Sequence, residues 1–311
     1  MSNIVQESAT VGAEAPVSSV AADAAIADKL IGAIRVVVVN NLIHEATDFS
    51  KVARRADDFD EQGWLKQDRY ITGLALANIE HNIRNLAETP EIKVMHLSEV
   101  SRETIDAFDP DAVVLSGTLR DFDYYDDDMV AGFADWVRAT DVPVLGICGG
   151  HQLVGLSFGA EIITIDRKVP SERRRNRLNE YQYRFVKIVK HDPIFDRIED
   201  RDAARHGWHN NAGIMRVWQN HGLMVDRLPD GFDLLAAGYM CPIQMMVRRT
   251  HDQLIYTVQF HIEKSFEDWN RKKSFWDHHV ESRDGRIIFE NFLVEALKRR
   301  LRSGDELLCS Q

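Results

Sequence analysis

The sequence predicts an α/β protein: a three-layer sandwich with helices on both faces of a mostly parallel central sheet. Three observations carry this reading. Runs 34–40, 92–97, 112–116 and 142–147 are short and mostly apolar and read as strands, and 34–40 has the pattern of a strand buried on both faces. Between them, residues 69–88 place Leu74, Leu76, Ile79, Ile83 and Leu86 at helical spacing, and a second helix is expected at 127–139. Strands alternating with helices imply parallel pairing through crossover connections.

Taken in order, residues 1–32 are rich in Ala, Ser, Val and Glu and lack aromatics. A mostly disordered tail is expected there, with a short helix near 21–31. The domain is expected over 33–300, opening on strand 34–40. The polar, acidic stretch 41–68 reads as a long inserted loop, and the helix at 69–88 follows it. The second half reads as more strand-rich, with runs at 161–165, 183–189, 243–249 and 254–260. A second insertion is expected at 264–283, where Phe266, Trp269, Phe275 and Trp276 suit a lid, a partner interface or a helix packed on the domain. Residues 301–311 read as a C-terminal tail. No internal repeat is present.

Chemistry concentrates at the end of run 142–147. The run leads into Cys148, then Gly149 and Gly150, then an apolar stretch of helical character. A strand that turns abruptly into a helix through small residues holds one side chain exposed on a strained backbone. The nearby helix N-terminus favours negative charge at that side chain. The Gly149 N–H would point where a tetrahedral oxyanion forms. The alternative for Cys148 is a buried structural thiol at a strand end. A second strand, 254–260, leads into His261, with Glu263 two residues on. Residues i and i+2 on a strand point to the same side, so His261 is expected to face Cys148 while Glu263 holds the imidazole from behind. A thiol nucleophile needs a base, and the base needs an orienting acceptor. Cys148, His261 and Glu263 together therefore favour a catalytic set over an unrelated buried Cys and His. Strand ends 116, 148 and 261 can meet in one crevice beyond the carboxyl edge of the sheet.

On these residues the chain resembles the class I glutamine amidotransferases of the Cys-His-Glu type. Their elbow pattern G-x-C-x-G-x-Q is matched by Gly146, Cys148, Gly150 and Gln152. Their Q-F-H-P-E pattern is matched by Gln259, Phe260, His261 and Glu263, with Ile262 in place of Pro. Residues 114–118 resemble the oxyanion loop, which implies a donor from Gly117 or Thr118 beside that of Gly149. Residues 217–226 resemble the Asn-His-Gly segment of the glutaminase subunit of carbamoyl-phosphate synthetase. That likeness implies substrate contacts from Asn220 and Gly222, with Gln152 also holding the amino-acid end. GMP-synthetase-type domains have Ser-His-Gly-Asp there; here Asn220 replaces the Ser and Leu223 the Asp. The resemblance spans about 35–298, including a closing helix at 285–293. It implies a flavodoxin-like core, no cofactor, and hydrolysis of the γ-amide of glutamine through a cysteine thioester. Ammonia would then pass to a synthetase subunit. Two other readings stay open: a stand-alone γ-glutamyl amide hydrolase or transferase, and a non-enzymatic binding protein on the same fold.

Composition sets limits. The chain has 311 residues, 44% of them hydrophobic, enough for a sizeable core. A net charge of −11 and a pI near 5.6 argue against nucleic acid or an anionic membrane as partner. No run is long and apolar enough to predict a membrane span. Three cysteines make no disulfide framework, and a reducing, cytoplasmic setting is expected. A homo-oligomer stays open. The basic run 167–177 reads either as a solvated loop or as a dock for carboxylate or phosphate. His206/His209 and His278/His279 lack a zinc-specific pattern, so no metal is expected.

Overall fold

The computed structural model describes residues 31–198, 213–264 and 283–309. Eleven strands are present among them. Nine form one sheet, in the order β2 (Ala87–His96), β1 (Ile31–Asn40), β3 (Ala112–Leu115), β4 (Val144–Ile147), β11 (Leu254–Val258), β10 (Met245–Arg249), β9 (Asp233–Ala237), β6 (Glu180–Ile188) and β7 (Ile214–His221). From β2 to β11 every pairing is parallel, and from β11 to β7 every pairing is antiparallel. The short β5 (Ile162–Thr164) and β8 (Leu223–Val225) pair apart from this sheet.

The inner strands of the parallel half, β1, β3, β4 and β11, are covered on both faces, and β1 shows how. Val36 and Val38 enter one core with Ile79, Ile83 and Leu86 of α1 (Glu61–Leu86) and Ile288, Phe289 and Phe292 of α5 (Arg283–Cys309). Val37 and Val39 point the other way, toward Phe133 and Val137 of α3 (Asp127–Ala139) and Leu153 and Val154 of α4 (Gly149–Ser157). All four valines are fully buried, each stabilising the fold by roughly 1.5–3 kcal/mol relative to exposure. This is the three-layer sandwich expected from the apolar runs. A short α2 (Arg102–Asp106) lies between β2 and β3. Helix starts are set by local polar chemistry: Asp60 accepts from the Gly63 N–H, and Asp126 from the Asp128 and Met129 N–H groups.

Several expectations need correction. Residues 41–68 are not one long polar loop. Leu42, Ile43 and Phe49 are buried, one 3-10 turn precedes Phe49 and another follows it, and α1 already begins at Glu61. Phe49, Phe59, Trp64 and Tyr124 form an aromatic cluster, with edge-to-face and tilted contacts, that gives this stretch its own apolar anchor. Leu74, expected in the core, is half exposed. Strands β7, β8 and β9 were not anticipated. The segment expected as a tail from 301 continues α5 as far as Cys309. The N-terminal segment 1–30, His206, His209 and the 265–282 stretch with its aromatics and histidines lie outside the described residues. Among the described residues, no helix is long and apolar enough to cross a membrane.

Candidate active site

Strand β4 ends and α4 begins with one residue between them, Cys148, at φ 50°, ψ −98°. This is left-handed territory for a non-glycine residue, costing on the order of 1–3 kcal/mol. Two bonds hold it: the Cys148 N–H donates to Val258 O at the end of β11 (2.8 Å), and Cys148 O accepts from the Gln152 N–H (3.1 Å). The glycines after it are required by close approach. A Cβ on Gly149 would lie 2.4 Å from Thr118 N, and one on Gly150 2.7 Å from the Leu115 Cβ. The Gly150 N–H donates to Ser116 O (3.0 Å), which fastens the elbow to the end of β3. Gly150→Ala is therefore expected to destabilise the fold by about 1–3 kcal/mol, visible as a lower thermal midpoint.

Because β11 is the parallel neighbour of β4, with Val258 paired to Ile147, its continuation passes beside the elbow. The strand itself stops at Val258, so His261 and Glu263 do not share a side through strand alternation. A single bridge to Trp218, with the His261 N–H donating to Trp218 O (2.8 Å), redirects the chain instead. His261 Nδ1 meets Glu263 Oε1 at 2.6 Å, and both side chains are largely buried. Glu263 is fixed through its backbone carbonyl, which accepts from Asn82 Nδ2 of α1 (2.7 Å). The thiol and imidazole are neighbours: a Cβ built on Gly117 would lie 3.6 Å from His261 Cε1 and 3.8 Å from the Cys148 Cβ.

Electrostatics follow from this packing. Burial disfavours the His261 imidazolium, but the Glu263 carboxylate, with a smaller contribution from Cys148, outweighs it and pushes the ring up to about 9. Burial likewise works against the Glu263 carboxylate, and His261, by charge and hydrogen bond, holds it below the usual range. The two directions agree: near neutrality the pair is an imidazolium–carboxylate pair with His261 Nε2 on the far side of the ring from Glu263.

The loop after β3 is fastened from below. Ser116 O accepts from Asn41 Nδ2 (2.6 Å), and the Thr118 hydroxyl contacts the Tyr125 hydroxyl, which donates to Asn41 O (2.7 Å). Burial raises the Tyr125 phenol and keeps it neutral. Arg120 stacks over Trp64 and donates to the buried Asp68 (2.8 Å). Gly117, Thr118 and Gly149 are thus brought together against Cys148.

Gln152 is buried on α4 and donates to Leu223 O (3.0 Å) and Gln259 Oε1 (3.2 Å). Gln259 in turn lies with Nε2 3.7 Å from Cys148 Sγ. The sequence alone assigns Gln259 no role; its place in the motif beside His261 is the available signal. Asn220 is exposed on β7, on the same face as Trp218, paired in register with Tyr181. Gly222 packs against the 177–179 segment, where a Cβ would lie 2.3 Å from Asn179 Oδ1. His151 is buried against the Thr257 hydroxyl (2.7 Å); burial, with His221 nearby, pushes it down to about 3 and leaves it neutral.

The basic run pairs with the chain's own carboxylates. Arg177 forks onto Asp121 (2.6 and 2.5 Å), Arg174 bridges Asp121 and Asp123, and Arg173 and Arg175 reach Asp166 and Asp58. Bidentate geometry and partial burial make the Arg177–Asp121 pair the strongest of these. Asp121→Asn is expected to lower unfolding free energy by about 1–3 kcal/mol, measured by denaturant melts.

The glutamine amidotransferase class-I family model matches residues 75–277, a span that includes Cys148, His261 and Glu263. The chain belongs to that family. Relatives include the glutamine-hydrolysing GMP synthases of Burkholderia ambifaria, 34% identical over 169 residues, and Alteromonas mediterranea, 30% identical over 165 residues. These alignments cover 54% and 53% of this chain but only 28% and 27% of the relatives. The chain thus matches about a quarter of their length. Two solved structures share the fold: a candidate GMP synthase component from Thermoplasma acidophilum (TM-score 0.56, 20% identity, covering 87% of this chain and 98% of that one), and a glutamine amidotransferase of Methylobacillus flagellatus (TM-score 0.52, 13% identity, 86% and 95%).

Proposed function

We propose that this protein hydrolyses the γ-amide of glutamine through a thioester on Cys148 and delivers ammonia to a separate synthetase. The observation that carries the reading is a strained cysteine at a helix N-terminus beside a buried imidazole already bonded to a carboxylate. In this reading Cys148 reacts as the thiolate with its proton held on His261, and Glu263 stabilises the imidazolium. The thiolate adds to the amide carbon, and the oxyanion is met by the N–H of Gly149 and a donor from Gly117 or Thr118. Each such donor is worth on the order of 3 kcal/mol. His261 then protonates the departing ammonia, and water, deprotonated by His261, cleaves the thioester.

Substrate selection rests on Gln152, Asn220 and Gly222. Gln152 already spends its amide donors inside the fold, so its part is to hold Gln259 against the thiol as well as to shape the pocket floor. Exposed Asn220 is the residue free to meet the amino-acid end. Residues 33–300 act as one catalytic unit in this account, and a reducing, cytoplasmic setting suits the free thiol. The partner role is supported by relatives that are named as synthases and extend well beyond the matched region.

The test is release of glutamate and ammonia from L-glutamine by the purified chain, beside a panel of other γ-glutamyl amides. Glutamine as the preferred substrate supports the proposal. Strong preference for another γ-glutamyl amide would transfer the assignment to a stand-alone hydrolase or transferase. Binding without turnover of any amide would favour the non-enzymatic reading.

A further inference from the structure

Behind the elbow lies a second group of chemically active side chains that the proposed reaction does not use. Glu180 of β6, His221 of β7 and Cys241 of the β9–β10 connection converge, with one ligand atom of each within 4.8 Å of the others. All three are buried. His221 Nε2 lies 3.1 Å from Glu180 Oε2 and, among the described residues, has no hydrogen-bond partner of acceptable geometry. They are far apart in sequence, so no local ligand spacing marks them.

We propose that Glu180, His221 and Cys241 form a binding site for one soft divalent metal ion of the zinc type. The ring is already oriented: His221 Nδ1 lies 2.9 Å from Leu223 O, a carbonyl that can only accept, which turns the other ring nitrogen, Nε2, toward Glu180. The carboxylate is oriented in the same way: Gln244 Nε2 donates to Glu180 Oε2 (2.9 Å), and Gln244 is fixed by Gln219 (2.8 Å). Zinc bonds of about 2.0–2.3 Å place tetrahedral donors roughly 3.1–3.7 Å apart. The imidazole–carboxylate spacing already fits, and the sulfur needs to move inward by about 1 Å at most.

Charge balance points the same way. A buried carboxylate is costly unless it is hydrogen-bonded or paired, and Glu180 is met by the Gln244 amide and the His221 ring. A divalent ion with one carboxylate and one thiolate is neutral overall. Cys241 now offers its S–H to Ile243 O (3.5 Å). Binding therefore exchanges the thiol proton for the metal–sulfur bond, with the proton released to solvent. A thiolate ligand selects zinc-like ions over magnesium or calcium. Leu223 O also accepts from Gln152, so the site is tied to the floor of the elbow helix through one carbonyl.

Cobalt(II) titration of the full chain, stripped of metal with a chelator, tests this. Wild type and Cys148→Ala should each bind one equivalent, with a thiolate-to-cobalt charge-transfer band that zinc abolishes by displacement. Cys241→Ser should lose that band. Glu180→Gln should weaken binding by about 10-fold or more, and it serves as the second variant if Cys241→Ser does not fold by circular dichroism. Absence of the band in folded wild type would overturn the proposal. So would a band that disappears in Cys148→Ala and survives in Cys241→Ser, because the metal would then sit on the elbow thiol.

Discussion

Cys148→Ala is expected to reduce kcat/KM for glutamate release from L-glutamine by about 10⁴-fold or more, with the fold intact. The size follows from the chemistry. Without the thiol there is no thioester route, and what survives is water attack assisted only by oxyanion donors and positioning. The fold should tolerate the change because Cys148 is held by its backbone, through Val258 O and the Gln152 N–H, rather than by its sulfur. The contact from Gln259 Nε2 to that sulfur is long and weak. Alanine keeps the same awkward φ at similar cost, so circular dichroism and thermal midpoint should barely move while turnover disappears. Cys241→Ser serves as the contrast: it should leave the Cys148-dependent chemistry in place.

Glu263→Gln carries the second largest effect, a loss of about 10²–10⁴-fold in kcat/KM with a changed pH profile. Glutamine can still bond to His261 Nδ1, but it supplies no negative charge. The wild-type ring has a folded-state value near 9, raised from its ordinary 6.5. Its favourable interaction is therefore complete below about pH 6.5 and lost as pH rises through about 9. Glu263 is shifted the other way, so its contribution is present above its ordinary value of 4.5 and lost as pH falls further. Both partners are charged between those limits. Wild-type kcat/KM should consequently fall on an alkaline limb near pH 9, where the acid that protonates the leaving ammonia is lost. In Glu263→Gln that limb should move toward neutrality. His261 and Glu263 titrate as a pair, so the shift of the whole profile is the observable. An unmoved alkaline limb would mean that Glu263 does not set the charge state of His261.

Much of the fold is legible because the inner strands of the parallel half are buried on both faces, which leaves continuous apolar runs such as Val36–Val39. Helix α3 was read at its true limits because Asp126 caps it and its apolar face is regular. The antiparallel half was harder. Strands β7 and β9 carry mixed residues such as Arg216, Gln219 and Asp233, whose burial depends on neighbours far away in sequence. The start of α1 was missed because Glu61, Lys66 and Asp68 look like loop residues, whereas Asp68 is buried against Arg120. At the site, Cys148, His261 and Glu263 stood out because each follows an apolar strand. Strand alternation alone does not set the His261–Glu263 pairing: the strand ends at Val258, and the bridge to Trp218 supplies the turn. Gln259, Asn41 and Asn82 support the site through tertiary hydrogen bonds that no spacing rule reveals.

The most direct test of the central claim is to trap the covalent intermediate. The chain would be mixed with L-glutamine, quenched in acid within a turnover, and analysed by intact mass and peptide mapping. The account predicts a γ-glutamyl adduct, glutamine less ammonia, on the peptide bearing Cys148, accumulating in a variant slowed at thioester hydrolysis and absent from Cys148→Ala. An adduct mapped to Cys241, or glutamate release that continues in Cys148→Ala, would contradict it.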